Sequence, residues 1–245
     1  MLETGAHLSA LASDSEAFID LATDHLDRPV AACPDWTVAD LVGHLGGVYS
    51  WAALVAGAGG DRPVVERESP PSDPDRLDAW FREQRAAVLD ALTGHEPGEP
   101  AWVFVRSEPG TVGWWRRRQA METAVHLHDM EQAVGSPGTM EAELAADGAD
   151  EVLTEILPYY LSRRPVPDLK GSLHLHATDT AGEWSVDFSV SPAAISREHV
   201  KADTALRGPA AGLFLWLWNR QDAEQAGLEV FGDRSALDAW PQVRL

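Results

Sequence analysis

Glu122 and His126 stand four residues apart in METAVHLHDM, residues 121 to 130, and on a helix that spacing stacks them one turn apart on the same face. A carboxylate and an imidazole so placed can share a metal ion, or can simply be part of a salt-bridged, solvated helix face. One helix face rarely supplies more than two ligands, so a metal needs a third donor from another segment. His44, in DLVGHLGG, is the best candidate, because Leu41, Val42, Leu45 and Val48 form an apolar helical face and His44 lies beside it. Two imidazoles and one carboxylate leave positions open for water or substrate, which suits catalytic zinc and also non-haem iron(II). The competing reading makes His44 a core histidine bonded to a backbone carbonyl and pairs Glu122 with Arg117 or Arg118.

Other chemically capable residues are weaker candidates. His174 and His176 are two apart on a strand and share a face, an arrangement that binds metal weakly or serves solvation and packing. His128 falls nearly opposite His126 on the helix and is not read as a ligand. Cys33 precedes a proline at a helix entrance, where a lone thiol is either a nucleophile or a buried structural residue. The chain has no Gly-rich phosphate loop, no G-x-S-x-G and no H-E-x-x-H.

The elements that must position these residues can be read from periodicity. Apolar residues from Leu8 to Leu26 keep helical spacing, and Pro29 ends the segment. A second helix follows Thr37, an N-cap with Asp40 three residues on. A third runs from about Asp75 to Leu92, and a fourth from near Val112 to Val134 carries Glu122 and His126. Between the second and third lies GAGGDRPVVERESPPSDP, residues 57 to 74, a loop of a length that is often functional. A Pro/Gly loop over residues 94 to 113 holds a short extended piece, AWVFV. A further helix from about Met140 to Leu161 is interrupted near Pro158. These segments predict a four-helix bundle.

After SRRPVPD, residues 162 to 168, the period changes to two. GSLHLHA and EWSVDFSV read as a hairpin around TDTAG, and HVKADTALRG as a third strand. An apolar helix in PAAGLFLWLWNRQ, a strand in LEVFG and a closing helix in RSALDAW complete a small α+β domain. The expected organisation is α+β in two domains, with a metal-binding bundle over residues 1–165 and the α+β domain over residues 166–245.

Composition narrows the partners. The chain has 245 residues, 44% of them hydrophobic and 24% charged, which is globular. A formal charge of −20 argues against nucleic acid and against docking on an anionic membrane. One cysteine rules out an intramolecular disulfide and a Cys-based zinc finger. The first residues carry early acid and no apolar core, and no apolar run approaches the roughly 20 residues that span a bilayer. The expectation is a soluble cytoplasmic protein acting on small molecules.

CPDWTVADLVGHLGG, followed by WWRRRQAMETAVHLHDME, resembles the mycothiol-dependent maleylpyruvate isomerase family, a branch of the DinB-like four-helix bundles. Trp36, Thr37, His44, Glu122, His126 and Asp129 stand where that pattern wants them. The resemblance covers nearly the whole chain and implies a sterol-carrier-like C-terminal domain. It implies His44, Glu122 and His126 as metal ligands, most simply of Zn2+, and mycothiol as a thiol cosubstrate. It also matches GPAAGLFLWLWNR, ending at Arg220, to the segment that carries the isomerase's active-site arginine. In so acidic a chain that arginine is an anion anchor for a substrate carboxylate, or a charge favoured by the helix dipole. Asp129 would orient a ligand histidine, or cap a salt bridge. The sequence departs from its relatives at Met121 and Leu127, apolar where basic residues are common, which implies a different thiol or substrate contact.

The implied activity is that of a metal-bound thiolate attacking an electrophile, as an isomerase or an S-transferase. The alternatives are a non-haem iron enzyme on the same set of two histidines and one glutamate, and a non-enzymatic small-molecule binding module.

Overall fold

Four apolar stripes at helical spacing need one another to leave water, and the helix ends are capped from within the sequence. The computed structural model describes residues 2–105, 110–164, 166 and 168–245. Helices α1 (Thr4–Ala22), α2 (Val38–Ala56), α3 (Leu77–Gly94) and α4 (Val112–Val134) build the N-terminal unit, with α1 packed on α4 and α2 on α3. Thr37 caps α2 in a capping box: its hydroxyl accepts from Asp40 N–H, and its own N–H donates to Asp40 Oδ2 at 2.8 Å. Thr111 caps α4, and Gly135 ends it in the left-handed region at φ 73°.

The core consists of fully buried Leu11 and Phe18 from α1, Leu41, Leu45 and Tyr49 from α2, Phe81 and Leu92 from α3, and Trp115 and Met130 from α4. Phe81 stacks on Phe18, with ring centroids 5.4 Å apart. By length and composition α2 is apolar enough to cross a bilayer, with mean hydropathy 1.3 over its window. This differs from the expectation that no run reached such length. In the fold α2 is a bundle core helix, and Leu41, Leu45, Ala52 and Val55 are fully buried.

The helix limits differ from expectation in places. α1 starts at Thr4 and stops at Ala22, where two successive turns, His25 N–H to Ala22 O and Arg28 N–H to His25 O, replace the last helical turn. A 3₁₀ turn over Pro74–Arg76, capped by Asp73, leads into α3. AWVFV forms no strand. The chain there makes one isolated bridge, Pro100 to Thr111, and residues 106–109 of the loop lie outside the described residues.

Gly46 sets the approach of α2 to α3. A Cβ there would overlap Cζ3 of buried Trp80 and lie 2.7 Å from its Cη2. Gly46→Ala should therefore lower stability by about 1–3 kcal/mol through overpacking, although alanine is the better helix former. A lower denaturant midpoint with an unchanged slope would show it.

The C-terminal unit comprises the described residues from Met140 to Leu245 together with Leu2. Its helical part is α5 (Ala142–Glu151), a π turn at Val152–Ile156 and α6 (Leu157–Arg163). Pro158 in the first turn of α6 has no N–H to donate back, and the chain widens ahead of it. The sheet order is β3-β2-β1-β4-β5, from β1 (Ser172–Ala177), β2 (Glu183–Asp187), β3 (Ala194–Ser196), β4 (Thr204–Gly208) and β5 (Glu229–Gly232). β1 and β4 are parallel and the other pairs antiparallel. Helices α7 (Ala210–Leu217) and α8 (Ser235–Ala239) complete the unit. The expected hairpin, strands and apolar helix all form. β3 has only three residues, too few for alternation to reveal it.

The domain boundary expected near residue 165 falls between residues 139 and 140 instead. α5 packs on α7, and its Asp150 accepts from Trp184 Nε1 at 3.0 Å and from Arg197 Nη2 at 2.9 Å. Helical periodicity says that a segment needs an apolar partner but does not say which core provides it.

Candidate metal centre

The segment before α2 turns sharply to deliver Trp36 and His44. Val30 N–H donates to Trp36 O, Cys33 N–H to Val30 O and Trp36 N–H to Cys33 O, with Asp35 at φ 70°, a conformation that aspartate tolerates. Trp36 then lies over His44, ring centroids 4.9 Å apart. On the facing helix, α4, Glu122 and His126 project one turn apart, as their spacing requires. Thr123 Oγ1 and Tyr49 Oη, 2.6 Å apart, join α4 to α2 beside the donors.

Glu122 Oε1 is 3.4 Å from His44 Nε2 and 3.4 Å from His126 Nε2. The three donor atoms all lie within 4.8 Å of one another. Ligands bonded to zinc at about 2.0–2.2 Å in a tetrahedron stand about 3.3–3.5 Å apart. The donor types and both carboxylate–imidazole distances therefore fit a divalent ion. Arg118 Nη2 donates to the other oxygen, Glu122 Oε2, at 2.7 Å. The arginine pairing and the metal set, alternatives in the sequence, are compatible because a carboxylate has two oxygens.

Electrostatics keep the carboxylate ready. Burial works to raise the Glu122 pKa, but Arg118, His126 and His44 outweigh it and hold the carboxyl well below the usual range. Burial likewise works to lower His126. Its hydrogen bonds with Asp129 and Glu122 prevail and push it up to about 9. His126 Nδ1 lies 2.9 Å from Asp129 Oδ2, whose side chain is fully buried. This contact is an ion pair when His126 is protonated, and it also holds the ring through Nδ1, so it fits either of the two roles open to Asp129.

A cleft of about 450 Å³ opens beside His44, lined by Trp36, Gly43, Pro70, Pro71 and Leu77 among others. The long loop is thus a wall of the cleft. Pro70 sits on Gly43, where a Cβ would meet its Cγ at 3.0 Å, and Glu68 N–H donates to Ser50 Oγ. No motif marked Pro70 and Pro71, and the clue available was the length and proline content of the loop. Nor did any motif mark Arg118 as the group that holds Glu122, although an Arg four residues before a Glu carries that possibility. Met121, where the family resemblance implied a different thiol or substrate contact, is fully buried. Cys33 and His128 lie outside the donor cluster.

Arg220 lies in the other unit, just beyond the C-terminal end of α7. Asn219 ahead of it takes φ 55°, Arg220 N–H donates to Leu215 O, and Nη1 donates to Trp218 O at 3.0 Å. It lines a cavity of about 680 Å³ together with Arg234 and Arg244, and with the acids Asp222, Glu224 and Asp238. Sequence reasoning singled out Arg220 and missed the two other arginines, which come from a different segment of the chain.

Comparison with known proteins follows the same two-part division. The family model described as the mycothiol maleylpyruvate isomerase N-terminal domain matches residues 8–131, and that of the C-terminal domain of the same proteins matches residues 143–239. Two crystal structures share the fold over 94% of this chain and 93% of theirs, each with a TM-score of 0.61. One is the mycothiol-dependent maleylpyruvate isomerase, 14% identical, and the other a histidine-to-alanine mutant of it, 13% identical. No curated protein matches the chain significantly in sequence.

Proposed function

The chain belongs to the mycothiol maleylpyruvate isomerase family, both of whose domains it carries in order, and from that premise we propose that it is a metal-dependent isomerase using mycothiol as thiol cosubstrate. The observation that carries this reading is the single oxygen, Glu122 Oε1, standing 3.4 Å from two imidazole nitrogens on different helices. His44, Glu122 and His126 would hold the ion. A divalent metal bound there, most simply zinc, supplies the positive charge that keeps a thiol in its thiolate form at neutral pH.

The chain's own residues do the rest. Asp129 holds the His126 ring through Nδ1, and Arg118 holds Glu122 through Oε2, so both ligands are oriented before any ion arrives. Trp36 and the loop prolines wall the cleft beside His44, and divergence in that loop would change the electrophile accepted. Arg220 is assigned to a substrate carboxylate, for which a planar guanidinium is suited. The thiolate adds to a conjugated double bond, the new single bond rotates, and expulsion of the thiolate restores the double bond in the other geometry. If the adduct instead leaves as product, the same site performs S-transfer.

Chelator-treated protein should lose mycothiol-dependent isomerisation of a cis-conjugated acid such as maleylpyruvate, and added zinc should restore it. Undiminished activity of metal-free protein would overturn the metal role. A zinc-loaded protein that binds the acid without turnover would make the bundle a binding module. Oxygen consumption by an iron-loaded form would replace thiol activation with oxygen chemistry.

A further inference from the structure

The C-terminal unit carries a second convergence of imidazoles around a carboxylate, on the sheet face opposite its buried apolar residues. Leu173 and Leu175 of β1 and Trp184 and Val186 of β2 are buried on one face, where Trp184 reaches Asp150 on α5. Strand alternation therefore sends His174, His176, Glu183 and Ser185 to the other face. The antiparallel register places His176 opposite Glu183 and His174 opposite Ser185. Beyond β3 the chain brings His199 back over His174, ring centroids 5.0 Å apart at 82°.

Glu183 Oε1 is met by three ring nitrogens: His174 Nε2 at 3.1 Å, His176 Nδ1 at 3.3 Å, and His199 Nδ1. A carboxylate oxygen offers about two lone pairs, so three nitrogens around one oxygen exceed what hydrogen bonding there can use. A cation would take the nitrogen lone pairs and the oxygen together. The donor atoms of His174, Glu183 and His199 all lie within 4.8 Å of one another.

We propose that His174, Glu183 and His199 form a second divalent-cation site, separate from the bundle, with His176 as the outer partner that steadies Glu183. Two imidazoles and a carboxylate select borderline ions such as zinc over calcium or magnesium, which take all-oxygen shells. Burial holds His174 below the usual imidazole value. Contact with His199, then with His176 and His174, lowers the Glu183 carboxyl below the usual carboxylate value. The His199 side chain is 78% exposed, so one side of the site meets solvent. A cation here would tie β1 and β2 to the segment after β3, and it would stabilise this unit by mass action.

The test is zinc stoichiometry by calorimetric titration of the full-length protein after metal removal. Wild type should bind two equivalents, the weaker one disappearing in His199→Ala. Because His199 is exposed, that replacement should leave the circular dichroism spectrum unchanged. A protein carrying both His44→Ala and His126→Ala should retain one equivalent and lose it when His199→Ala is added. Two equivalents persisting in His199→Ala would overturn the proposal. So would a single wild-type equivalent that His44→Ala abolishes and His199→Ala leaves intact.

Discussion

His44→Ala is expected to weaken the bundle's affinity for the proposed metal by more than about 100-fold and to abolish the proposed thiol-dependent turnover with it. The magnitude follows from the cost of disturbing an outer partner alone, about 10–100-fold; deleting a ligand must exceed it. The variant is also the cleanest available. His44 is partly exposed, its side chain 28% accessible, and it leaves Arg118, Glu122, His126 and Asp129 in place on α4. Elemental analysis of dialysed wild type beside His44→Ala and His126→Ala decides the matter. His126→Ala should lose the metal equally and also lose stability, since it removes a buried imidazole that faces Asp129. A variant that retained its full metal complement would remove the replaced histidine from the ligand set.

Metal affinity at the bundle should rise about tenfold per pH unit up to about pH 9, roughly 100-fold between pH 6 and pH 8. The cause is His126. Its pKa of about 9 in the metal-free fold means that a proton must leave before Nε2 can serve as a ligand. Calorimetry in buffers of different ionisation enthalpy should therefore count about one proton released per metal near pH 7. Asp129→Asn removes the anion that holds this proton. The dependence should then level off nearer the ordinary imidazole value of about 6.5, while affinity on the plateau falls by about 10–100-fold. The same shift governs the stability of the metal-free protein. The folded pKa lies above the unfolded one, so the stabilisation is fully present below about pH 6.5 and is lost as pH rises through about 9. With metal bound the proton is already gone, and that loss should vanish. Metal uptake at pH 7 without proton release would contradict the assignment of His126.

Much of this was legible in the sequence. The fourth helix, expected from near Val112 to Val134, runs over Val112–Val134, with Thr111 and Gly135 as its caps. The pair Glu122 and His126 followed from the four-residue spacing alone, since helix geometry is local. The place of His44 beside the apolar face of the second helix made it the best third donor, the family resemblance implied the same ligand, and the two domain matches bear out the family. The fold class followed from the change of period, although its position misled. The period changes after residue 162, yet the units divide between residues 139 and 140, because α5 and α6 bury their apolar faces in the C-terminal core.

What the chain determined by itself is therefore everything that depends on near neighbours: helix faces, caps, the hairpin, and which residues are chemically able to act. Only the tertiary structure decided which of them meet. It put His44 Nε2 on the same oxygen that faces His126, gave the other oxygen to Arg118, and leaned Pro70 of the long loop on Gly43. It also closed three histidines on Glu183, one of them from beyond β3, where strand alternation had indicated a pair on one face, weakly metal-binding or merely solvated. The physical reason is that spacing along a helix or strand fixes direction over a few ångströms. Contact between distant segments is set by which apolar faces exclude water together, and that choice belongs to the whole chain.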